Sequence, residues 1–282
     1  MSVNQTRMTF TDSSGGGTIT LTGANTYLGT TVINGATVVT GATNTLSASS
    51  AILLASNSTS ELNLNSYSQT IVSLNGGGAG GGNVALGSAT LTISAGGTYA
   101  GAISGTGSVS LTGGTLTLTG SNSYTGATTI ASGATLQLGN GTNTGTIASQ
   151  SVINNGSFII DNAVDLTYSG SISGTGSVTL DGTQILILNG VNSYTGGTTI
   201  SSGTLEVGDA SHSTATLASG VTIADGATLA GHGTVYGTVT NASGGTVRPG
   251  GRNFFACSIS SRAAEACAPL RALRKAIPTS RP

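Results

Sequence analysis

The sequence has little charge, few large aromatic rings and almost no cysteine. Its 282 residues include no tryptophan and only four phenylalanines, and 6% of them are charged. Mean hydropathy is nevertheless slightly positive, at +0.22, whereas disordered chains combine low hydrophobicity with high net charge. Because compact globules usually depend on bulky aromatic side chains, this composition favours a thin core of small aliphatic residues.

Basic residues are nearly missing from the first 251 positions. That stretch holds two basic and eight acidic residues, a formal charge of −6, whereas residues 252–282 hold six basic residues and one acidic residue, a charge of +5. A body with so few cations cannot neutralise phosphates, so we expect no nucleic-acid partner. Both cysteines, Cys257 and Cys267, fall in the basic segment, and nothing in the body therefore requires an oxidising or a reducing compartment.

Long apolar runs are also missing. No stretch of about 18 apolar residues occurs, which argues against a transmembrane helix in this chain. The opening residues, MSVNQTRMTF, do not resemble a secretory signal. If the protein is exported, we expect its signal to precede this sequence or to have been lost.

What the sequence does contain is glycine and repetition. Glycine accounts for 46 residues, and ISGTGSV occurs at Ile103–Val109 and again at Ile172–Val178. Three related segments begin at Gly17, Gly114 and Gly182, and each contains Asn-Ser/Thr-Tyr-x-Gly. The nine repeat marks are Asn25, Tyr27, Gly29, Asn122, Tyr124, Gly126, Asn192, Tyr194 and Gly196.

Within each repeat the hydrophobic period is two. Leu116 and Leu118, for example, alternate with threonines, and such alternation predicts β-strands. Strands that recur in tandem and are separated by Gly, Asn and Ser turns indicate a solenoid, in which each coil is buried by the next. At roughly 20–25 residues per coil, residues 1–251 would form about ten to twelve coils.

We interpret the repeat marks as structural. Asparagine tolerates left-handed backbone and can bond its own turn, and glycine permits positive φ. A tyrosine ring could cover a corner while its hydroxyl stays in water. We therefore assign no catalytic, cofactor-binding or metal-binding residue and expect no cofactor.

These repeats resemble the autotransporter-associated β-strand repeat of bacterial outer-membrane autotransporters. The likeness is fullest at Gly114–Ile130 and extends to GATLAGHGTVYGTVTNASGGTVRPGG, Gly226–Gly251. It implies an all-β, right-handed parallel β-helix, exported to the cell surface or outer membrane or secreted. It also implies a structural or adhesive stalk whose partners are host-cell or matrix surfaces, or copies of itself.

The end of the sequence departs from that family. No translocator barrel is visible, which indicates a passenger truncated before the barrel. From residue 252 the regular Gly, Asn and Ser turns that separate the repeats no longer occur, as is typical of out-of-frame translation or gene fusion. We expect residues 252–282 to be a separate, irregular or helical basic tail. A helix that presents Arg262, Arg271, Arg274 and Lys275 to anionic surfaces is an alternative.

Two kinds of chemical site are the main rivals to a stalk. Asp161 and Asp165 could serve a β-helical lyase or glycosidase, but they would lie roughly 13 Å apart along a strand, farther than glycosidase carboxylates. His212 and His232, with Asp209 or Asp225, could hold a metal ion. Neither set has a recognised spacing, so exposed strand ends and loops remain the preferred interpretation.

Two further patterns have simpler explanations. The glycine run, Gly76–Gly82, lacks the lysine of a phosphate-binding loop, so we expect a flexible turn between coils. Thr115, Thr117 and Thr119 could belong to a flat ice-binding face, but any strand with one polar face shows the same alternation. Only a regular threonine column across many coils would favour ice binding.

Overall fold

The computed structural model describes residues 7–250 and, for the backbone alone, residues 255–260. Every element in that part of the chain is a β-strand. The chain forms two compact units, Met1–Ala163 and Val164–Pro282. Each unit has its own ladders of parallel strands.

Unit 1 has three sets of strands, named sheets A, B and C. Sheet A contains β1 (Arg7–Thr11), β3 (Thr30–Asn34), β5 (Ala51–Leu54), β8 (Ser73–Gly76), β11 (Gly96–Tyr99), β14 (Thr115–Leu118), β17 (Thr135–Gly139) and β20 (Ser157–Asp161). Sheet B contains β2 (Gly17–Leu21), β4 (Ala36–Thr40), β6 (Glu61–Asn63), β9 (Asn83–Ala85) and β12 (Ile103–Ser104), and a separate pair is formed by β15 (Ser121–Asn122) and β18 (Thr146–Ile147). Sheet C contains β7 (Gln69–Ile71), β10 (Thr90–Ile93), β13 (Ser108–Leu111), β16 (Thr128–Ile130) and β19 (Ser151–Asn154).

Unit 2 is built in the same way. Its sheet D contains β21 (Leu166–Tyr168), β24 (Ile185–Leu188), β27 (Thr204–Val207), β30 (Thr228–Gly231) and β32 (Thr246–Pro249). The other strands are β22 (Ser171–Ser173), β23 (Ser177–Leu180), β25 (Val191–Asn192), β26 (Thr198–Ile200), β28 (Thr216–Leu217), β29 (Val221–Ile223), β31 (Thr234–Asn241) and β33 (Phe255–Ser260).

Strands pair with the strand one coil later, so the fold is a parallel β-solenoid, as predicted. Eight successive coils contribute a strand to sheet A in unit 1, and in unit 2 the order β23-β26-β29-β31 gives four more. Gly96 pairs with Thr115 and Arg7 with Thr30, so the coil lengths are close to those expected. Both the solenoid prediction and the upper coil estimate are confirmed.

The core consists of aliphatic columns that run from coil to coil. Leu116 pairs with Leu136, which pairs with Phe158, and all three side chains are buried. In unit 2, Leu205 pairs with Leu229 on the inner face of sheet D. Burying each such side chain contributes about 1.5–3 kcal/mol, and this gain recurs in every coil because the inward positions alternate with outward threonines.

The end of the described chain corrects one expectation. The backbone of β33, residues 255–260, pairs in parallel with β31, so the prediction of an irregular or helical tail is wrong for those residues. The rest of the 252–282 segment, including the four basic residues of the proposed helix, lies outside the described residues. The boundary at residue 251 and the out-of-frame origin of the tail stay predictions.

No helix in the described residues has the length and apolarity that a membrane span requires.

Candidate functional site in the repeat turns

Asn122 joins three successive coils through one buried amide. Its Oδ1 accepts the backbone N–H of Ile103 at 3.0 Å in the preceding coil. Its Nδ2 donates to the carbonyl of Gly120 in its own turn and to that of Thr146 in the next coil, each at 3.0 Å. The side chain is 3% exposed, so these bonds are shielded from water. Asn122 therefore acts as a clamp between coils.

Asn192 forms the same clamp in unit 2. Its Oδ1 accepts the N–H of Ile172, and its Nδ2 donates to Gly190 and Thr216. Asn25 makes the corresponding donor contacts, to the carbonyls of its own turn and of Thr45, but is only half-buried. None of the three has a left-handed backbone. The expected bond to the asparagine's own turn is present, and the expected left-handed conformation is not.

Two of the three tyrosine marks lie inside the solenoid. Tyr124 and Tyr194 have no exposed surface, and burial raises the pKa of each hydroxyl to about 12. Tyr124 Oη shares a 2.7 Å hydrogen bond with Thr128 Oγ1, and Tyr194 Oη shares one of 2.6 Å with Thr198. The expectation that these hydroxyls stay in water is wrong at both positions, because each hydroxyl forms a hydrogen bond with the threonine four residues later in the sequence.

Tyr27 and Tyr194 each begin a chain of hydrogen-bonded hydroxyl groups that reaches the next coil. Tyr27 bonds to Thr31 at 2.7 Å, and Thr31 bonds to Ser50 of the next coil at 2.8 Å. Thr198 likewise bonds to Ser219 at 2.9 Å. Our sequence interpretation missed these partners, although a threonine four residues after the tyrosine is visible in every copy.

The glycine marks are required by close packing rather than by positive φ. A Cβ on Gly126 would collide with the backbone of Gly107 in the preceding coil, and a Cβ on Gly196 would collide with that of Gly176. Neither has positive φ. The carbonyl of Gly29 accepts a 2.6 Å hydrogen bond from Ser50 Oγ. The positive-φ explanation is therefore wrong at these glycines.

This packing gives a direct test of the glycine marks. We expect Gly126→Ala to lower the free energy of unfolding by about 2–4 kcal/mol, because the methyl group forces two coils apart. Gly23→Ala is the matched control, since a Cβ there meets nothing within 4 Å. Urea titration of both variants measures the difference, and equal stability would contradict the packing explanation.

Both histidines, which were considered as possible metal ligands in the sequence, have acidic neighbours in the structure. His212 Nδ1 lies 2.7 Å from Asp209 Oδ1, and hydrogen bonds from His212 and Asn189 lower the pKa of Asp209 to about 2. His232 Nδ1 is 3.9 Å from Glu206, and Asp225 lies against the turn at Gly244. Within the described residues, no three His, Cys, Asp or Glu side chains are grouped to hold a metal ion.

Asp161 and Asp165, the acidic residues considered for catalysis, lie at the ends of strands. Asp165 Oδ1 accepts the backbone N–H of Ile185 at 2.8 Å, which is a structural contact. Asp161 ends strand β20, and its backbone carbonyl accepts the N–H of Gly141. These contacts support the interpretation of both residues as strand ends.

The outward threonine columns are short. On sheet C one column runs through Thr70, Thr92, Ser110 and Thr129 and then reaches Ile153. Thr117 of sheet A pairs with Gln137. A regular threonine array across many coils is thus not formed along these ladders, and ice binding gains no support from them.

The glycine run is a packed loop. Gly78 and Gly81 exchange backbone hydrogen bonds of 2.9 and 3.0 Å. A Cβ on Gly77 would collide with Gly101, and one on Gly81 with the backbone of Asn57. The run is a turn between coils, as expected, but it is held against its neighbours rather than loose.

Comparison with known proteins agrees with this architecture. The passenger-associated-transport-repeat family matches residues 14–40, 113–138 and 173–207, segments that contain the three sets of repeat marks. The chain is similar to the adhesin BmaC autotransporter of Brucella suis biovar 1 (strain 1330), with 44% identity over 52 residues. That segment covers 18% of this chain and 2% of the adhesin. These matches support an autotransporter passenger with repeats. No solved structure matches the chain.

Proposed function

We propose that this chain is a structural and adhesive segment of an autotransporter passenger, located at the cell surface or secreted. The observation that carries the proposal is that buried and exposed polar side chains have different roles. The residues repeated in sequence are used inside, where Asn122 and Asn192 clamp coils and Tyr124 and Tyr194 are sealed from water. Short, mostly uncharged side chains occupy the outward positions.

Such a surface suits weak contacts made many times. Sheet C carries the hydroxyl column from Thr70 to Thr129 and no charged residue among its strands. A single hydroxyl contact contributes little, because it replaces a hydrogen bond to water. Many copies on one surface raise the apparent affinity through effective concentration. The proposed partners are host-cell or matrix surfaces or other copies of the chain, and nucleic acid is not among them.

Bead adhesion tests this proposal. Beads coated with the purified chain should bind cultured epithelial cells, matrix-coated plates or one another, and the bound fraction should rise steeply with coating density. Free monomer should compete poorly, because it lacks multivalency. Absence of adhesion to all three surfaces at the highest coating density would overturn the proposal.

We further propose that the segment has no catalytic activity. Support comes from its likeness to an adhesin autotransporter and from the structural contact of Asp165. Incubation with neutral and acidic polysaccharides should yield neither new reducing ends nor unsaturated products. Turnover that disappears in Asp161→Asn would establish the rival function, a β-helical polysaccharide-active enzyme.

A further inference from the structure

A groove of about 510 Å³ opens on one corner of unit 1. One wall is the tip of the glycine run together with Asn83, and the opposite wall is formed by Asn143 and Thr144. The floor consists of two short turns, residues 100–102 and 119–121. The groove therefore lies where two coils with short turns are flanked by coils with longer loops.

The floor is low because glycines let the turns pack directly on one another. A Cβ on Gly101 would collide with the carbonyl of Gly82, and one on Gly120 would collide with the carbonyl of Gly101. The loop of the glycine run is fixed by the bonds between Gly78 and Gly81. The recess is thus part of the folded structure, and its volume falls in the range of about 300–1,000 Å³ typical of ligand sites.

The groove offers hydrogen-bonding groups that the protein itself does not use. The hydroxyls of Thr119, Ser121 and Thr144 bond to no other described residue. Asn83 Oδ1 accepts the N–H of Ala102 at 3.0 Å, and its Nδ2 donates no hydrogen bond within the described residues. None of the lining residues is charged.

This chemistry selects among possible ligands. An acidic or basic polymer would find no opposite charge in the groove, and an extended peptide would find no free strand edge, because Gly78 and Gly81 already bond to each other. Uncharged hydroxyl and amide groups over a floor of glycine and alanine match a ligand that is itself rich in hydroxyls. We propose that the groove binds a neutral oligosaccharide. This inference rests on the proposed adhesive function and gives it a ligand class.

The third repeat, which begins at Gly182, shows that one groove hydroxyl is not needed for folding. Val191 stands where the second repeat, which begins at Gly114, has Ser121, immediately before the clamp asparagine in both copies. Val191 is 62% exposed, and Asn192 beside it makes the same bonds as Asn122. The hydroxyl of Ser121 is therefore a feature of the groove rather than of the repeat.

Calorimetric titration with defined oligosaccharides tests the site. The probes are maltohexaose, cellohexaose, xylohexaose and chitohexaose, with an oligogalacturonate of similar length as the charged comparison. We expect at least one neutral probe to bind, and Ser121→Trp, which fills the groove, to weaken it about tenfold or more. Ser121→Val with Thr144→Val should also weaken binding. Ser123→Trp is the matched control, since Ser123 is exposed but lies outside the groove.

The outcomes separate this inference from the adhesive proposal. Absence of binding by all neutral probes at millimolar concentration, equal affinity in both tryptophan variants, or stronger binding of the oligogalacturonate would overturn the groove assignment. Circular dichroism establishes that each variant is folded. If coated beads adhere but none of the neutral oligosaccharides binds, the adhesive role stands and the groove assignment fails. If the beads do not adhere but the oligosaccharide binds, the reverse holds.

Discussion

Replacing Asn122 with alanine should lower the free energy of unfolding by about 3–5 kcal/mol. The substitution removes three hydrogen bonds from a buried site and leaves the N–H of Ile103 without its partner. An unsatisfied buried donor costs about 1–3 kcal/mol, more than an average hydrogen bond contributes. Urea and thermal unfolding followed by circular dichroism measure the loss.

Two other asparagines calibrate that result. Asn143→Ala should change stability by no more than about 0.5 kcal/mol, because Asn143 is exposed and its side chain bonds only within its own loop. Asn25→Ala should fall between the two, since Asn25 is half-buried. Equal losses for Asn122→Ala and Asn143→Ala would show that the amide does not hold the coils together.

Alkaline pH should destabilise the solenoid through its buried tyrosines. A tyrosine ionises near pH 10 in the unfolded chain, whereas burial raises the pKa of Tyr124 and Tyr194 to about 12. The unfolded state therefore releases protons first, so the stabilisation is complete below pH 10 and is lost as the pH rises to 12. The loss is about 3 kcal/mol for each tyrosine.

A phenylalanine substitution isolates this effect. Tyr124→Phe should be less stable than the unaltered chain at pH 7 by about 1 kcal/mol, because the bond to Thr128 is lost. The difference should reverse between pH 10 and pH 12, because phenylalanine does not ionise. Tyr236→Phe is the control, since that ring is 61% exposed. Stability curves of Tyr124→Phe and the unaltered chain that stay parallel up to pH 12 would contradict the proposed burial.

The succession of strands and coils could be predicted because it is determined mainly by the alternation of apolar and polar residues within short stretches of sequence. Alternation at Leu116 and Leu118 identifies a strand and its inner face, and tandem repetition requires equivalent strands to stack. The aliphatic columns follow from these two facts. Strand β33 could not be predicted in this way, because residues 255–260 lack the turn punctuation on which the repeat assignment depended.

The roles of the repeat marks depend on contacts between coils, which a single repeat does not display. A tyrosine beside Asn and Gly resembles a corner residue, and its burial is understandable only when the serine of the next coil is placed beside its threonine partner. The groove was missed for a related reason. The glycine run and the loop at Asn143 are 61 residues apart or more in sequence, and only the stacking of coils brings them to opposite walls.

The clamp also bears on how a solenoid built from such repeats can change length during evolution. Asn122 bonds to residues 19 positions before it and 24 positions after it, and Asn192 has the same requirements at nearly the same distances. A recombination event that joined Asn122 directly to Ser193 would delete 70 residues. It would still supply an N–H from the upstream copy and a carbonyl from the downstream copy. Unequal crossing-over between repeats can therefore shorten or extend the gene product while the clamp amide keeps its partners.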